Sequence, residues 1–600
     1  MGKNIIGISA FFHDSAACLV VDGGIVAAAQ EERFTRKKNT DEFPIQAIQY
    51  CLDEYGIDFN QIDAIVFYDK PFKKFERILE TYLATAPKSY LAFLKAVPQW
   101  VSHKFFIRRT INGVLKNNFS LASKSPPIYF SDHHISHAAS AFFCSGFKKS
   151  AILTIDGVGE WATATISIGD HKNIEILKEM EFPNSVGLLY SAFTIYLGFK
   201  INSGEYKLMG LAPYGDSTSQ QTITFIEQIK DSLVEIKEDG SIWMNPDFFT
   251  YTYKLKTIHF EKWNALFGII NRKSNGEILL EHCNLALAIQ CVTEEIVLKM
   301  AAHAKEITKL NNLCLAGGVA LNCAANGKLL KSELFDSIYI PSSPGDSGCA
   351  VGAALALSNM KFDTPRHFDR RLTSPFLGPS FSNYDIISMN RKLGLNPKFH
   401  ASQKELIQTA SQFISEGKII GWVQDRMEFG PRSLGNRSIL GSASIPEIQH
   451  RINKNVKKRE SFRPFAPAVL SEFSSEYFDI LPTSNYMEFI GHVLPKHRIK
   501  PPESLKSKNV FQQLHYTNSK IPSVTHVDYS SRVQIVSKEE HPLFWDLIHA
   551  VYEKTGIPMI VNTSFNQKDE PIVCSPMDAW KSFNECNLDA LFIGPFMYIK

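Results

Sequence analysis

Two stretches of this chain, 147 residues apart, follow one plan. "NIIGISAFFHDSAACLVVDGGIVAAAQE", from Asn4, lies over "AILTIDGVGEWATATISIGDHKNIEILK", from Ala151, without a gap. Each copy runs a β-rich stretch into a small or acidic residue, Ser9 or Asp156. A turn follows, then an alternating strand (16–21 or 163–168), a Gly/Asp turn and a third strand. Period-two alternation broken by turn residues is the signature of antiparallel hairpins. Strand–turn–strand–turn–strand is how a ribonuclease-H-like lobe begins, so the repeat predicts an α/β fold with two similar lobes around a cleft. A chain of 600 residues is too long for one core. A further domain must therefore follow, with the boundary where charge, Pro and Gly replace periodicity, within 358–381. The expected domains are 1–365 and 366–600. A helical, aromatic and basic insertion at about 70–128 interrupts the first lobe, and its aromatics read as packing residues.

The segments "NNLCLAGGVALNCAANGKLL" (311–330) and "SIYIPSSPGDSGCAVGAALAL" (337–357) each read strand, glycine turn, helix. A glycine turn feeding a helix N-terminus exposes N–H groups suited to phosphate. Gly317, Gly318 and Asn322, with Gly345 and Gly348, are the candidates for holding nucleotide phosphates. Neither segment is a Walker loop or a dinucleotide fingerprint.

Three histidines crowd "YFSDHHISHAASAFF". Asp132 is placed to cap a helix beginning at His133, which sets His133 and His137 four apart on one face and turns His134 elsewhere. Asp156 ends an apolar strand and Asp346 follows the strand at 338–340, both typical places for site residues. Two imidazoles and two carboxylates form an N/O set suited to Fe(II), Mn(II) or Zn(II). Position 134 is His, so the HExxH glutamate of a metalloprotease is missing.

The second half is basic where it is most rigid. Residues 418–470 carry Arg426, Arg432, Arg437, Lys457, Arg459 and Arg463, several of them in loops fixed by Gly and Pro. Guanidinium forks bind phosphate oxygens bidentately and lysine adds a point charge. Lys454 and Lys458 read as solvated surface. The net charge is only +3, with no basic tract, so a nucleic-acid partner is not expected. Ten cysteines without a CxxC pair read as reduced residues of a cytoplasmic protein, and no apolar run is long enough for a membrane span.

"GISAFFHDSAACLVVDGG", "HHISHAASAFF", "GEYKLMGLAPYG", "LAGGVALNCAANGKL", "PGDSGCAVGAAL", "MEFGPRSLGNRSIL", "KKRESFRPFAPAV" and "VNTSFNQKDEPIVCSP" resemble, in order and over nearly the whole chain, the NodU/CmcH-type O-carbamoyltransferases. The resemblance implies an actin/sugar-kinase-like (ASKHA) N-terminal domain and a YrdC-like C-terminal domain. It implies Fe(2+) held by His133, His137, Asp156 and Asp346, with another divalent metal as the alternative. It further implies a two-stage reaction. Carbamoyl phosphate and ATP with Mg(2+) would give carbamoyl-AMP in the C-terminal domain. A hydroxyl of an antibiotic, alkaloid or lipo-oligosaccharide would then take the carbamoyl group in the N-terminal cleft. Arg432, Lys457 and Arg463 would contact carbamoyl phosphate, and Arg532 a further phosphate. Asn562 would hold the carbamoyl or nucleotide group, and His13, a neutral imidazole near pH 7, would be the base. Lys207 would add positive charge near the acceptor, and a homodimer is implied. Three positions depart from the family pattern: Asp425 where Gly is usual, Ser433 where Ala is usual, and "YSSR" ahead of "VQ". Asp425 should face away from the phosphates. A sugar kinase or chaperone-type ATPase would share the duplicated lobes, but would release ADP and leave the histidine pair unexplained. A nucleotide-binding scaffold for tRNA modification would need a basic RNA-facing surface.

Overall fold

A computed structural model describes residues 3–103, 106–120, 125–254, 257–366, 374–480, 484–500, 502 and 516–600. Parts of the expected insertion (104–105, 121–124) and of the expected boundary (367–373) lie outside the described residues.

The internal repeat is real at the level of topology. The first sheet contains β1 (Asn4–Ser9), β2 (Ala16–Val21), β3 (Gly24–Gln30), β4 (Ala64–Phe67) and β5 (Ile128–Phe130), in the order β3-β2-β1-β4-β5. The second takes in β6 (Lys149–Ile155), β7 (Ala162–Asp170) and β8 (Asn173–Glu181). After a small hairpin, β9 (Val234–Ile236) with β10 (Ile242–Met244), it adds β11 (Asn312–Ala316) and β12 (Ser337–Tyr339). Its order is β12-β11-β6-β7-β8, the same sheet read from the other edge. In both, the first three strands pair antiparallel and the last two join in parallel. The inner parallel strands β4 and β11 are buried on both faces, which is why they read as unbroken apolar runs.

Among its described residues the insertion holds three helices, α1 (Pro71–Ala84), α2 (Tyr90–His103) and α3 (Ile107–Asn118). Its large side chains do not all pack inward as expected: Phe72, Tyr90, Leu91 and Phe106 are more than half exposed. Short helices bury only a narrow stripe, here Ile107, Ile111 and Leu115 on α3. Four further helices frame the site: α4 (His133–Phe142), the long α5 (Leu280–Thr308), α6 (Cys323–Lys331) and α7 (Asp346–Ala356). Every residue of α7 is buried, and its Gly/Ala composition has a steric cause. A Cβ on Gly352 would stand 1.8 Å from the Ser136 carbonyl oxygen of α4, and one on Gly7 of β1 would stand 1.9 Å from Ala350 O. Backbone-to-backbone approach of this kind excludes side chains and brings α7 hard against α4.

The second compact unit comprises Ser374–Lys600 together with Glu32–Thr40, while the first comprises Met1–Glu31 and Asp41–Thr373. The captured segment is fastened by Arg33 donating to Gly430 O (2.8 Å) and Arg36 donating to Ile572 O (2.7 Å) and Pro571 O (2.9 Å). An eight-stranded mixed sheet forms the unit's centre. Its strands are β13 (Lys398–Phe399), β14 (Ile420–Val423), β15 (Arg437–Ser442), β16 (Ala466–Leu470), β19 (Gln534–Val536), β20 (Met559–Ser564), β21 (Ala590–Ile593) and β22 (Phe596–Ile599), ordered β13-β22-β21-β14-β15-β20-β16-β19. A separate ribbon pairs β17 (Ile490–His492) with β18 (Ser530–Arg532). Trp422, Leu440, Ile560 and Phe592 pack there with Ala410 and Ile414 of α8 (Gln403–Ser415) and with Phe544, Leu547 and Val551 of α9 (Pro542–Thr555). The mixed α/β class holds in both units.

Candidate metal centre and phosphate pocket

Helix α4 begins at His133 as the spacing predicts, but Asp132 does not cap it with its side chain. Asp132 is drawn outward by Lys70 (2.6 Å) and Lys73 (2.9 Å). The orphan His133 N–H is taken by both carboxylate oxygens of Glu160 (3.1 Å each), which also accepts from Lys70 N at 2.7 Å. Carboxylates are favoured at a helix N-terminus, and Glu160 fills that place from the turn after β6. His134 points away, as expected, and is structural: its ring bonds Thr154 Oγ1 (2.6 Å) and Ala162 O (2.9 Å). Burial, then the neighbouring His133 and His137, push its pKa down to about 3, so it stays neutral.

His133 and His137 present their Nε2 atoms to each other at 3.2 Å. Asp156 Oδ2 stands 3.0 Å from His133 Nε2 and 3.7 Å from His137 Nε2. Asp346 Oδ1, at the first residue of α7, stands 3.8 and 3.6 Å from the same two atoms. Each carboxylate keeps its other oxygen on a fixed partner: Asp156 Oδ1 accepts from Gly318 N (2.8 Å), and Asp346 Oδ2 faces His13 Nε2 at 3.8 Å. The four expected ligands thus converge, all of them largely buried. Donor separations of about 3–4 Å are those of nitrogens and oxygens sharing one first-row ion. The donor set fits a divalent cation.

The electrostatics agree. Burial works against the Asp156 carboxylate, but His133 and His137 hold it well below the usual range. Asp346 is buried too, and His13, His137 and His133 pull it down to about 2. Burial disfavours protonated His13, yet Asp346 and the 2.9 Å contact with Asp14 lift its pKa to about 9. The expected neutral His13 at pH 7 is therefore not what these groups produce by themselves. A cation shared by Asp156 and Asp346 would weaken part of that lift and lower the His13 pKa.

The glycine turns also have structural roles of their own. The Gly317–Gly318 turn has φ +96° at Gly317 and lies on Ile155, and its Gly318 N–H orients Asp156. Asn322 caps α6 through Ala325 N (3.1 Å) and exchanges bonds with Gln290. Gly345 precedes α7, and a Cβ on Gly348 would stand 1.9 Å from Ser343 O, so Gly348 is a packing glycine. Lys207 is half-buried, with Nζ 5.9 Å from the Phe199 ring.

In the second unit Lys457 is 3% exposed. Its Nζ donates to Ser564 O, to Ser564 Oγ (3.1 Å) and to Asn566 Oδ1 (2.7 Å). Burial, then Arg459, Arg463 and Lys38, depress its pKa well below the lysine range. Cations crowded around a buried ammonium make a place that an anion would stabilise. Asn562 joins Gln534 Oε1 (2.7 Å) and Ser433 O (3.3 Å), tying the Ser433 loop to β20. Arg432, Arg463 and Arg532 are partly buried. The six cations of the sequence divide: Arg437 is spent on the carbonyls of Gln424 (2.6 Å), Asp425 (3.1 Å), Pro379 (2.9 Å) and Cys574 (3.2 Å), and Arg426 on Leu377 O (2.8 Å). Asp425 is exposed, as its charge requires.

The sequence profile described as Carbamoyltransferase N-terminus matches residues 4–355, and that described as Carbamoyltransferase C-terminus matches residues 411–600. The chain belongs to the NodU-type carbamoyltransferase family. It is a carbamoyltransferase. An uncharacterized protein of Synechocystis sp. is 42% identical over 100% of this carbamoyltransferase and 97% of its own length. Nodulation protein NolNO of Sinorhizobium fredii is 35% identical over 98% of this chain and 79% of its own, and Nodulation protein NolO of Bradyrhizobium diazoefficiens is 35% identical over 78% and 79%. Among solved structures, full-length HypF in its phosphate- and nucleotide-bound form matches at a TM-score of 0.28 and 14% identity, over 60% of this chain and 55% of that one.

Sequence reasoning missed three residues of the candidate sites. Glu160 carried one signal, its place in the turn after Asp156. Glu428 carried none: it is buried and its Oε1 gathers the N–H groups of Leu434 (2.7 Å), Asn436 (2.8 Å) and Arg437 (3.1 Å), holding the loop that bears Arg432. Cys349 looked like any core cysteine, yet it joins His133, His137 and Asp346 in one group of donors within 4.8 Å of one another.

Proposed function

We propose that the chain is an ATP-dependent O-carbamoyltransferase working in two stages. In the C-terminal unit water attacks carbamoyl phosphate, the bond to the phosphoryl group breaks, and carbamate, inorganic phosphate and a proton result. The resulting carbamate oxygen attacks the α-phosphorus of ATP, pyrophosphate leaves and carbamoyl-AMP forms. In the N-terminal unit an acceptor hydroxyl attacks the carbamoyl carbon, the bond to AMP breaks, and the hydroxyl proton passes to a base. Lys457, with Arg432, Arg463 and Arg532, binds and orients the phosphates; Asn562 fixes the loop above them. His133, His137, Asp156 and Asp346 would hold a divalent cation, iron(II) by family resemblance, which when bound supplies Lewis-acid charge to a phosphate or carbonyl oxygen. His13 is the proton acceptor at Nε2. Gly317 and Gly318 position Asp156, and Asn322, Gly345 and Gly348 shape the wall through which nucleotide phosphates enter. Lys207 is proposed to face the acceptor, a hydroxyl-bearing small molecule, and the working form is proposed to be a homodimer in the cytoplasm.

The observation that carries this reading is the pairing of opposite pockets within one carbamoyltransferase: a buried N/O donor cluster in one unit and a buried, cation-crowded lysine in the other. Purified enzyme given ATP and carbamoyl phosphate is expected to release AMP and pyrophosphate. Production of ADP instead would favour the kinase reading and overturn this one.

A further inference from the structure

Ten cysteines are spread through the chain, and nine are buried. Cys349 stands apart by its partners: its Sγ belongs to the donor group formed with His133, His137 and Asp346, all within 4.8 Å of one another. Cys349 stands three residues after Asp346 on α7, so both side chains leave the same face of that helix. The absence of a side chain at Gly352 lets α7 lie directly on the Ser136 carbonyl of α4. The thiol is 0% exposed and is thus fixed against the cluster.

A second observation concerns the imidazoles. His133 Nδ1 and His137 Nδ1 are buried and have no hydrogen-bond partner among the described residues. Histidine ligands ordinarily donate that N–H to an outer carboxylate or carbonyl, which raises the basicity of the ring. Here that support is missing from both Nδ1 atoms among the described residues, and the Cys349 sulfur is within hydrogen-bond reach of the His137 ring.

We propose that Cys349 Sγ is an inner donor of the cation pocket, making it a mixed N/O/S site. This rests on the divalent-cation reading above. On binding, the S–H bond breaks, the proton leaves to solvent and sulfur bonds the ion as thiolate. Soft sulfur beside imidazole selects Fe(II), Co(II) and Zn(II) over Mn(II) and Mg(II).

The test is Co(II) loading of metal-stripped full-length enzyme. Expected is one tightly bound cobalt with a thiolate-to-cobalt charge-transfer band in the near ultraviolet. The band should vanish in Cys349→Ser and Cys349→Ala, while Zn(II) affinity falls about tenfold or more relative to Mn(II). Cobalt bound by the wild type without that band, or a band that survives both substitutions, overturns the inference and leaves the metal centre standing. A wild type that binds no cobalt overturns the metal centre itself. If neither variant folds, the wild-type spectrum alone decides.

Discussion

Glu428 has no surface to serve and no cation beside it in sequence, yet three backbone N–H groups converge on one of its oxygens. Charge-assisted bonds of this kind contribute about 1.5–3 kcal/mol each. Glu428→Gln keeps the size and loses the charge. It is expected to loosen the loop carrying Arg432 and lower carbamoyl-phosphate-dependent pyrophosphate release at least tenfold, with little change in metal content. Wild-type rates of pyrophosphate release would remove Glu428 from the account. A second residue sets a pH dependence. His541 is wedged between Phe376 (4.7 Å between ring centroids) and Phe544 (5.1 Å). Burial pushes its pKa from 6.5 down to about 4. Between those values the unfolded chain binds a proton that the folded one refuses. The stability from its neutral ring is therefore complete above pH 6.5 and is lost as pH falls through 4, at most about 3 kcal/mol. The urea midpoint of His541→Phe should fall less than that of the wild type from pH 7 to pH 4. Parallel decline of the two would contradict the assignment.

At the scale of elements, the site depends on how close α7 comes to α4. Gly352→Ala places a methyl group where the Ser136 carbonyl already stands, 1.8 Å away. The helices must part, at a cost of about 1–3 kcal/mol, and Asp346 moves off His133 and His137. Metal content and carbamoyl transfer are expected to fall together, while pyrophosphate release continues. Full metal occupancy in a folded variant would show that the helix contact does not set the site. This dependence also marks how far sequence reading could reach. The convergence of His133, His137, Asp156 and Asp346 was legible because helix periodicity and strand ends are local rules. Cys349 was not, because a thiol's neighbours are decided by which helix packs on which. The close packing of Gly348 on Ser343 O was hidden for the same reason: a glycine needed for close packing and one needed beside a ligand look alike in one dimension. The cap on α4 went to Glu160, since two nearby lysines claim Asp132.

At the scale of the whole molecule, the three opening strands of each copy were legible in the sequence, whereas the matching five-strand orders of the two sheets emerge only in the fold. The capture of Glu32–Thr40 by the second unit was not legible either, since "EERFTRKK" carries no sign of which sheet its arginines will find. Two units with opposite charge character suit two chemical stages, and separating the stages is the sharpest test. Pyrophosphate release from ATP and carbamoylation of an acceptor should be measured side by side in His133→Ala, His137→Ala and Arg463→Ala. The histidine variants are expected to keep carbamoyl-phosphate-dependent pyrophosphate release and lose acceptor carbamoylation, whereas Arg463→Ala loses both. Histidine variants that remain folded but lose both activities to the same degree would contradict the division of the reaction between the units.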